Sequence, residues 1–307
     1  MRSITWGLSR TQYHRTHESP ANKLTGIRRT LLDSIDITLG SRGIGWNWSK
    51  GLLVPAHTRP TSNEAAFVLY TFASLGFHMI FYDSIHYHIQ SMRSFNLLCP
   101  KGSTIYNHNL PPLQRYALST YISLLSGWVV YAAIQSLYDM ATLVGVIVFQ
   151  QNPSRWPPIF DEPWKATSLT SLWAKRWHQV FRQCFISIGS PFSYAFGRVG
   201  EVLGAFFVSG ILHYLGLWGM ARGSDWGMIG FFMAMGIGII LENLWKRTTG
   251  RKVGGAVGWM WTFTWLLGWA NILIDGWARK GLIATRLYPE NYRPAEILYG
   301  PLSYAVC

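Results

Sequence analysis

Apolar residues gather into five long runs, at 65–85, 113–134, 199–220, 226–245 and 256–277. Each is close to the roughly 20 residues a helix needs to cross a hydrocarbon core, so each predicts a membrane-spanning helix. A sixth run, 137–149, is too short to span alone and predicts a re-entrant piece or the tail of a bent helix. Residues 1–63 hold no run of spanning length and no continuous apolar core of a secretory signal. They carry nine Lys and Arg, among them Arg28, Arg29, Lys50 and Arg59, and read as a polar cytosolic segment. Residues 64–307 read as a single membrane-embedded domain. The predicted fold class is all-α, a polytopic integral membrane protein with about five to seven transmembrane helices.

A different periodicity appears in "SLTSLWAKRWHQVFRQCF". Pro157, Pro158 and Pro163 stop any helix before Trp164, and Thr167 or Ser168 can cap a new one. Leu169, Leu172, Trp173, Trp177, Val180, Phe181, Cys184 and Phe185 then recur at steps of three and four. The opposite stripe holds Ser171, Lys175, His178 and Arg182. The pattern predicts an amphipathic helix lying on the cytosolic membrane face.

Composition sharpens this picture. Of 307 residues 13% are charged, about half the usual share of a soluble domain. Sixteen are Trp, a ring suited to membrane interfaces. The net charge of +13 would suggest nucleic acid in a soluble protein. Here the cations cluster between apolar runs, and no basic-aromatic nucleic-acid motif occurs. Arg155, Lys165, Lys175, Arg176, Arg182 and Arg198 precede the third run; Lys246, Arg247, Arg251 and Lys252 follow the fourth. The turn between these runs holds only Arg222. The positive-inside rule therefore puts the two basic loops in the cytosol and Arg222 in the lumen, a topology that Arg279 and Lys280 fit less well. Cys99, Cys184 and Cys307 are scattered and odd in number, and predict neither a disulfide framework nor a metal site.

Two histidines are candidates for chemistry. His213 stands mid-run in "FFVSGILHYLGLW", where an ionisable group is costly. It reads either as an interhelical hydrogen-bonding residue, with Ser209 one turn back, or as a general base in a membrane cavity. His178 reads either as a solvated residue or as a group pointing inward beside Lys175 and Arg182. That basic stripe suits a polyanionic cofactor or anionic lipid headgroups. His78, His86 and His88 lack the tight spacing of a metal set, and Asp83 and His86 can pair with each other. No G-x-S-x-G elbow, dinucleotide loop or P-loop occurs in the right context. "GIGII" at 236–240, Gly200 with Gly204, and Gly254 with Gly258 read as helix-packing sites.

Taken together, "SLTSLWAKRWHQVFRQCF" and the later "FFVSGILHYLGLW" resemble the wax-synthase branch of the membrane-bound O-acyltransferase family. In that family an S-L-x-x-F-W-x-R-R-W segment precedes an Asn or His, and a later F-x-x-S-G-x-x-H segment carries a histidine. "SRGIGWNW" at 41–48 and "WPPIFDEPWKATSL" at 156–169 are similar to segments of fungal members. The family usually has spanning helices before the former, and residues 1–63 hold no such run. The resemblance implies an acyl-CoA-dependent O-acyltransferase of the endoplasmic reticulum membrane, in a fungal secondary-metabolite pathway. The acceptor would be a hydrophobic alcohol (terpenoid, steroid or polyketide) and the donor acetyl-CoA as co-substrate, with no bound cofactor, no metal and no nucleic acid. His213 would be the base and His178 would orient the alcohol or stabilise the oxyanion. Lys175, Arg176 and Arg182 would receive the CoA phosphates. The alternatives are a wax-ester synthase acting on long-chain alcohols, or a non-enzymatic transporter or scaffold.

Overall fold

A computed structural model describes residues 12–16, 26–40, 42–49, 52–92, 95–289 and 292–302. Ser41, Lys50 and Cys307 lie outside these residues, as do the side chains of Arg28 and Arg29. The described residues form helices joined by irregular segments, with one isolated bridge between Arg15 and Trp46 and no strand. Five helices are long and apolar enough to cross a membrane. The chain is thus an all-α polytopic membrane protein.

We number the helices α1 (Ile27–Leu39), α2 (Glu64–Gln90), α3 (Pro112–Leu143), α4 (Arg182–Gly189), α5 (Ser193–Gly219), α6 (Gly227–Thr249), α7 (Gly255–Arg279) and α8 (Pro294–Tyr299). The run at 137–149 is the tail of α3, continued by a π-helical turn at Val144–Val148. The third span is broken. Short α4 folds back on α5, so that a Cβ on Gly189 would meet the Gly204 and Ala205 backbone, and one on Gly204 would meet Gly189. The chain turns at Gly197, whose φ of 55° a side chain would resist. Gly200 and Gly204 are packing sites, as expected. So is Gly258, which faces the Thr167 carbonyl, whereas Gly254 meets nothing.

The core lies around α6. Met228, Phe231, Phe232, Met235 and Ile239 pack with Ile122 of α3, Leu217 of α5, Leu273 and Ile274 of α7, and Leu169. Large apolar residues elsewhere on the spans point outward, for example Leu69 at 70% exposure and Leu113 at 83%. In water such a surface would be costly; against lipid it is the expected outer face.

Polar contacts close both ends of the bundle. At the end expected in the lumen, Asp83 of α2 accepts from Arg293 Nε (2.7 Å) and from the Ala295 backbone (2.8 Å). His86 bonds the Ile283 carbonyl instead. The expected Asp83–His86 pair is therefore not formed: a guanidinium offers the carboxylate a stronger, charged partner. Arg279 pairs with Asp225 and Asp275, which accounts for a cation at the less basic end. Cys99 is disulfide-bonded and Cys184 is a free buried thiol. The expectation of no disulfide is corrected at Cys99, because scatter along the sequence says little about distance in space.

At the opposite end the N-terminal segment clasps the loop ahead of the histidine segment. Arg42 donates to the carbonyls of Pro157 (2.9 Å) and Pro158 (2.8 Å) and to the Tyr138 hydroxyl. Arg59 donates to the Trp156 carbonyl and Thr71. Asp36 of α1 receives Arg15, the Trp46 indole and Arg155.

Candidate active site

Residues 168–181 do not form the amphipathic helix that their spacing suggested. Ser168 caps a single α-turn at Leu169–Ser171, which runs into a π-helical turn at Leu172–Arg176. At Trp177 the backbone becomes extended (φ −75°, ψ 157°), and helix resumes only at Arg182. Two tertiary anchors override the periodicity. Buried Glu242 of α6 accepts from the Leu169 N–H (2.5 Å), the Thr170 N–H (3.0 Å), the Thr170 hydroxyl (2.7 Å) and the Trp261 indole (3.1 Å). The buried Gln179 amide folds back to donate to the Trp173 and Trp177 carbonyls. Each supplies helix-end groups with partners they would otherwise lack in an apolar setting.

The break turns His178 inward. Its ring lies among Phe160, Trp177 and Phe181, with centroids 6.1, 5.6 and 6.5 Å away. Burial, reinforced by the charges of His213 and Arg42, lowers its pKa to about 4. It is neutral at physiological pH. The predicted stripe of Ser171, Lys175, His178 and Arg182 is lost, because these positions no longer share a helix face. Lys175 is exposed and has no partner among the described residues, whereas Arg176 donates to the Asp161 carbonyl (2.9 Å) and pairs with the Asp161 carboxylate (3.6 Å).

His213 sits in mid-α5. Its Nδ1 lies 2.8 Å from the Ser209 carbonyl oxygen. The partner is the Ser209 backbone within one helix, not a side chain across an interface. A carbonyl only accepts, so Nδ1 carries the proton and Nε2 keeps its lone pair. The ring packs on Phe232, 4.3 Å between centroids. Phe232 in turn packs on Trp173 (6.1 Å), linking the two histidine segments.

Among the described residues, three buried polar atoms of the 173–179 segment lack partners: Trp173 Nε1, His178 Nδ1 and Gln179 Oε1. Buried polar groups are rarely left so, and a cluster of them marks a place where a ligand's own polar atoms fit. Trp173 stood out in the sequence only through its place on the apolar face and within the family-like segment, and Gln179 and Glu242 gave no signal there. Among the described residues no group of three His, Cys, Asp or Glu could hold a metal ion.

Residues 156–234, which contain both histidines, match the membrane bound O-acyl transferase family. The resemblance read from the histidine segments therefore holds. The chain is 23% identical to acetyltransferase ple2 of Rhodocybe pseudopiperita, over 83% of this chain and 71% of that protein. It is 27% identical to acetyltransferase aurG of Calcarisporium arbuscula, over 56% of this chain and 44% of that protein. It is 24% identical to O-mevalon transferase yanI of Aspergillus niger, over 80% of this chain and 61% of that protein. The chain thus spans less than two thirds of the last two. No solved structure matches it. The family match and the names of these fungal proteins support an O-acyltransferase.

Proposed function

We propose that the protein is a membrane-embedded O-acyltransferase that moves an acyl group from a CoA thioester to the hydroxyl of a hydrophobic alcohol. The observation that carries this reading is that His213, whose Nδ1 is engaged by the Ser209 carbonyl, and the unpartnered buried groups on Trp173 and His178 lie on segments joined through Phe232. His213 Nε2 takes the alcohol proton as the oxygen attacks the thioester carbonyl. The Trp173 indole N–H is a ready donor to the developing oxyanion, and neutral His178 orients the alcohol or adds a second hydrogen bond. Collapse expels the CoA thiolate, which takes the proton from His213. Residues 64–307 act as one catalytic domain, with residues 1–63 holding its cytosolic loop in place.

Of the cations expected to receive CoA phosphates, Lys175 and Arg182 have no ion-pair partner among the described residues and keep that role. Arg176 is engaged by Asp161. The names of ple2 and aurG favour acetyl as the acyl group, while yanI is named for a different one. A terpenoid, steroid or polyketide alcohol suits the apolar surroundings, and the endoplasmic reticulum suits a cytosolic donor. The test is incubation of the purified chain with labelled acetyl-CoA and a panel of hydrophobic alcohols. Labelled ester, absent with His213→Ala, supports the proposal; no ester with any acceptor overturns it.

A further inference from the structure

Midway through the bundle, α2 and α3 enclose a polar cluster that the acyl-transfer step does not use. Asp139 of α3 is 1% exposed. Its carboxylate accepts from the Ser74 hydroxyl of α2 (2.7 Å) and from the Gln135 amide (2.9 Å), and the Arg59 guanidinium lies 3.8 Å away. His78 Nδ1 lies 2.8 Å from the Ser74 carbonyl oxygen and 3.3 Å from the Ser74 hydroxyl. The carbonyl only accepts, and the hydroxyl has already given its proton to Asp139. Nδ1 therefore carries the proton and Nε2 keeps its lone pair. Helix association accounts for the bonds that close on Asp139. It does not account for His78 Nε2 or the Tyr131 hydroxyl, neither of which has a hydrogen bond among the described residues. Ionisable residues inside spans are costly and tend to mark functional sites.

These two atoms stand at one end of an aromatic wall whose other end is His178. The His78 ring lies 5.8 Å from the Tyr131 ring, Tyr131 lies 4.6 Å from Phe160, and Phe160 lies 6.1 Å from His178, all between centroids. Trp164, 5.8 Å from Tyr131, widens the wall. Each step is a ring contact, so the wall has a set length along which an apolar skeleton can lie. A hydroxyl that reacts at His178 and His213 leaves the far end of such a skeleton near His78 and Tyr131. A second hydroxyl there donates to Nε2 and accepts from the Tyr131 O–H. A methyl does neither, and an ether oxygen only accepts.

We infer that His78 Nε2 and the Tyr131 hydroxyl bind a second hydroxyl of the acceptor, so that the preferred substrate is a diol with one hydroxyl toward each end of an apolar skeleton. This rests on the acyltransferase reading. It narrows the acceptor from a hydrophobic alcohol to a doubly hydroxylated one. It also bounds the separation of the two hydroxyls by the three ring steps from His78 to His178. A site built to bond a hydroxyl discriminates against the analogue that lacks it, because its polar groups are then left unpaired.

The experiment uses the full chain in lipid nanodiscs, labelled acetyl-CoA, and a panel of steroid, sesquiterpenoid and long-chain aliphatic alcohols. Each is supplied as the diol with hydroxyls at opposite ends and as the matching mono-ol. The readout is the ratio of kcat/KM for the diol to that for the mono-ol, per reacting hydroxyl. In the wild type it should reach about tenfold or more for at least one pair, the worth of two hydrogen bonds. Tyr131→Phe removes only the hydroxyl, and His78→Phe keeps an aromatic ring without Nε2. Each should bring the ratio toward one. A purely structural role would slow diol and mono-ol alike and leave the ratio as it was. A ratio near one for every wild-type pair, or a ratio that survives either substitution, would overturn the inference and leave the acyltransferase reading standing. Absence of ester from every member of the panel would overturn both.

Discussion

The Thr170 hydroxyl lies 2.7 Å from Glu242 Oε2, so a carboxylate from the middle of the bundle fixes the start of the histidine segment. Glu242 takes four hydrogen bonds, two of them from the backbone. Glu242→Ala leaves those buried donors unmet, at about 1–3 kcal/mol each. The expected result is a clear fall in thermal stability and loss of turnover. Thr170→Val removes one hydroxyl and keeps both backbone bonds. It should cost about 1 kcal/mol and leave most activity. A scanning thermal unfolding assay in detergent, run beside the turnover assay, checks the order.

His213→Ala takes an imidazole out of an apolar span, so insertion and yield should be unchanged. Acyl transfer should fall by about 10²-fold or more, the usual contribution of a general base. Near-normal turnover in well-expressed His213→Ala would remove the residue from the reaction.

Trp173→Phe keeps an aromatic ring near Phe206, Phe231 and Phe232 while deleting the unpartnered Nε1–H along with the second ring of the indole. If that N–H meets the oxyanion, kcat should drop by about 10-fold or more while the KM for both substrates holds. A change confined to KM would make Trp173 a packing residue.

His178 sets a pH limit. Burial first, then the charges of His213 and Arg42, bring its pKa from 6.5 to about 4. In the unfolded chain it gains a proton below 6.5, and in the folded one only near 4. Its neutral form is therefore a stabilising constraint above pH 6.5, and that stability is lost progressively as the pH falls toward 4. The activity profile should show no His178 inflection near 6.5. An inflection there that disappears in His178→Gln would contradict a buried neutral imidazole.

The spans were legible because an apolar run of sufficient length has few other uses: all five appear, although the second runs on well past its expected end at 134 and the third begins well before 199. The histidines were legible as isolated polar residues in aromatic surroundings. The shape of residues 168–181 was not. Their three-four spacing runs unbroken from Leu169 to Phe185, and nothing local ends it. What ends it is Gln179 bonding back to two carbonyls and Glu242 capping from 72 and 73 residues away. Arg42 was illegible for a related reason. Its partners are mainly main-chain carbonyls, which every residue has and which leave no mark on a sequence.

Sidedness can be tested without disturbing the Cys99 disulfide. With Cys184 replaced by Ser, Ser154→Cys should react with an impermeant thiol reagent on sealed microsomes. Ser224→Cys should react only after permeabilisation. A bonded Cys99 fits the oxidising side, the same side as Arg222. Reaction of Ser224→Cys from outside would place the basic loops away from the cytosolic CoA pool.

The clasp of Arg42 on the Pro158 carbonyl, 116 positions along the chain, also constrains the order of biogenesis. At about 5–20 residues per second, a ribosome needs on the order of ten seconds to make the intervening chain. During that interval two spans enter the bilayer, and the clasp can close only if both return the chain to the side where Arg42 waits. A nascent chain that misorients either span leaves Arg42 facing an empty membrane surface.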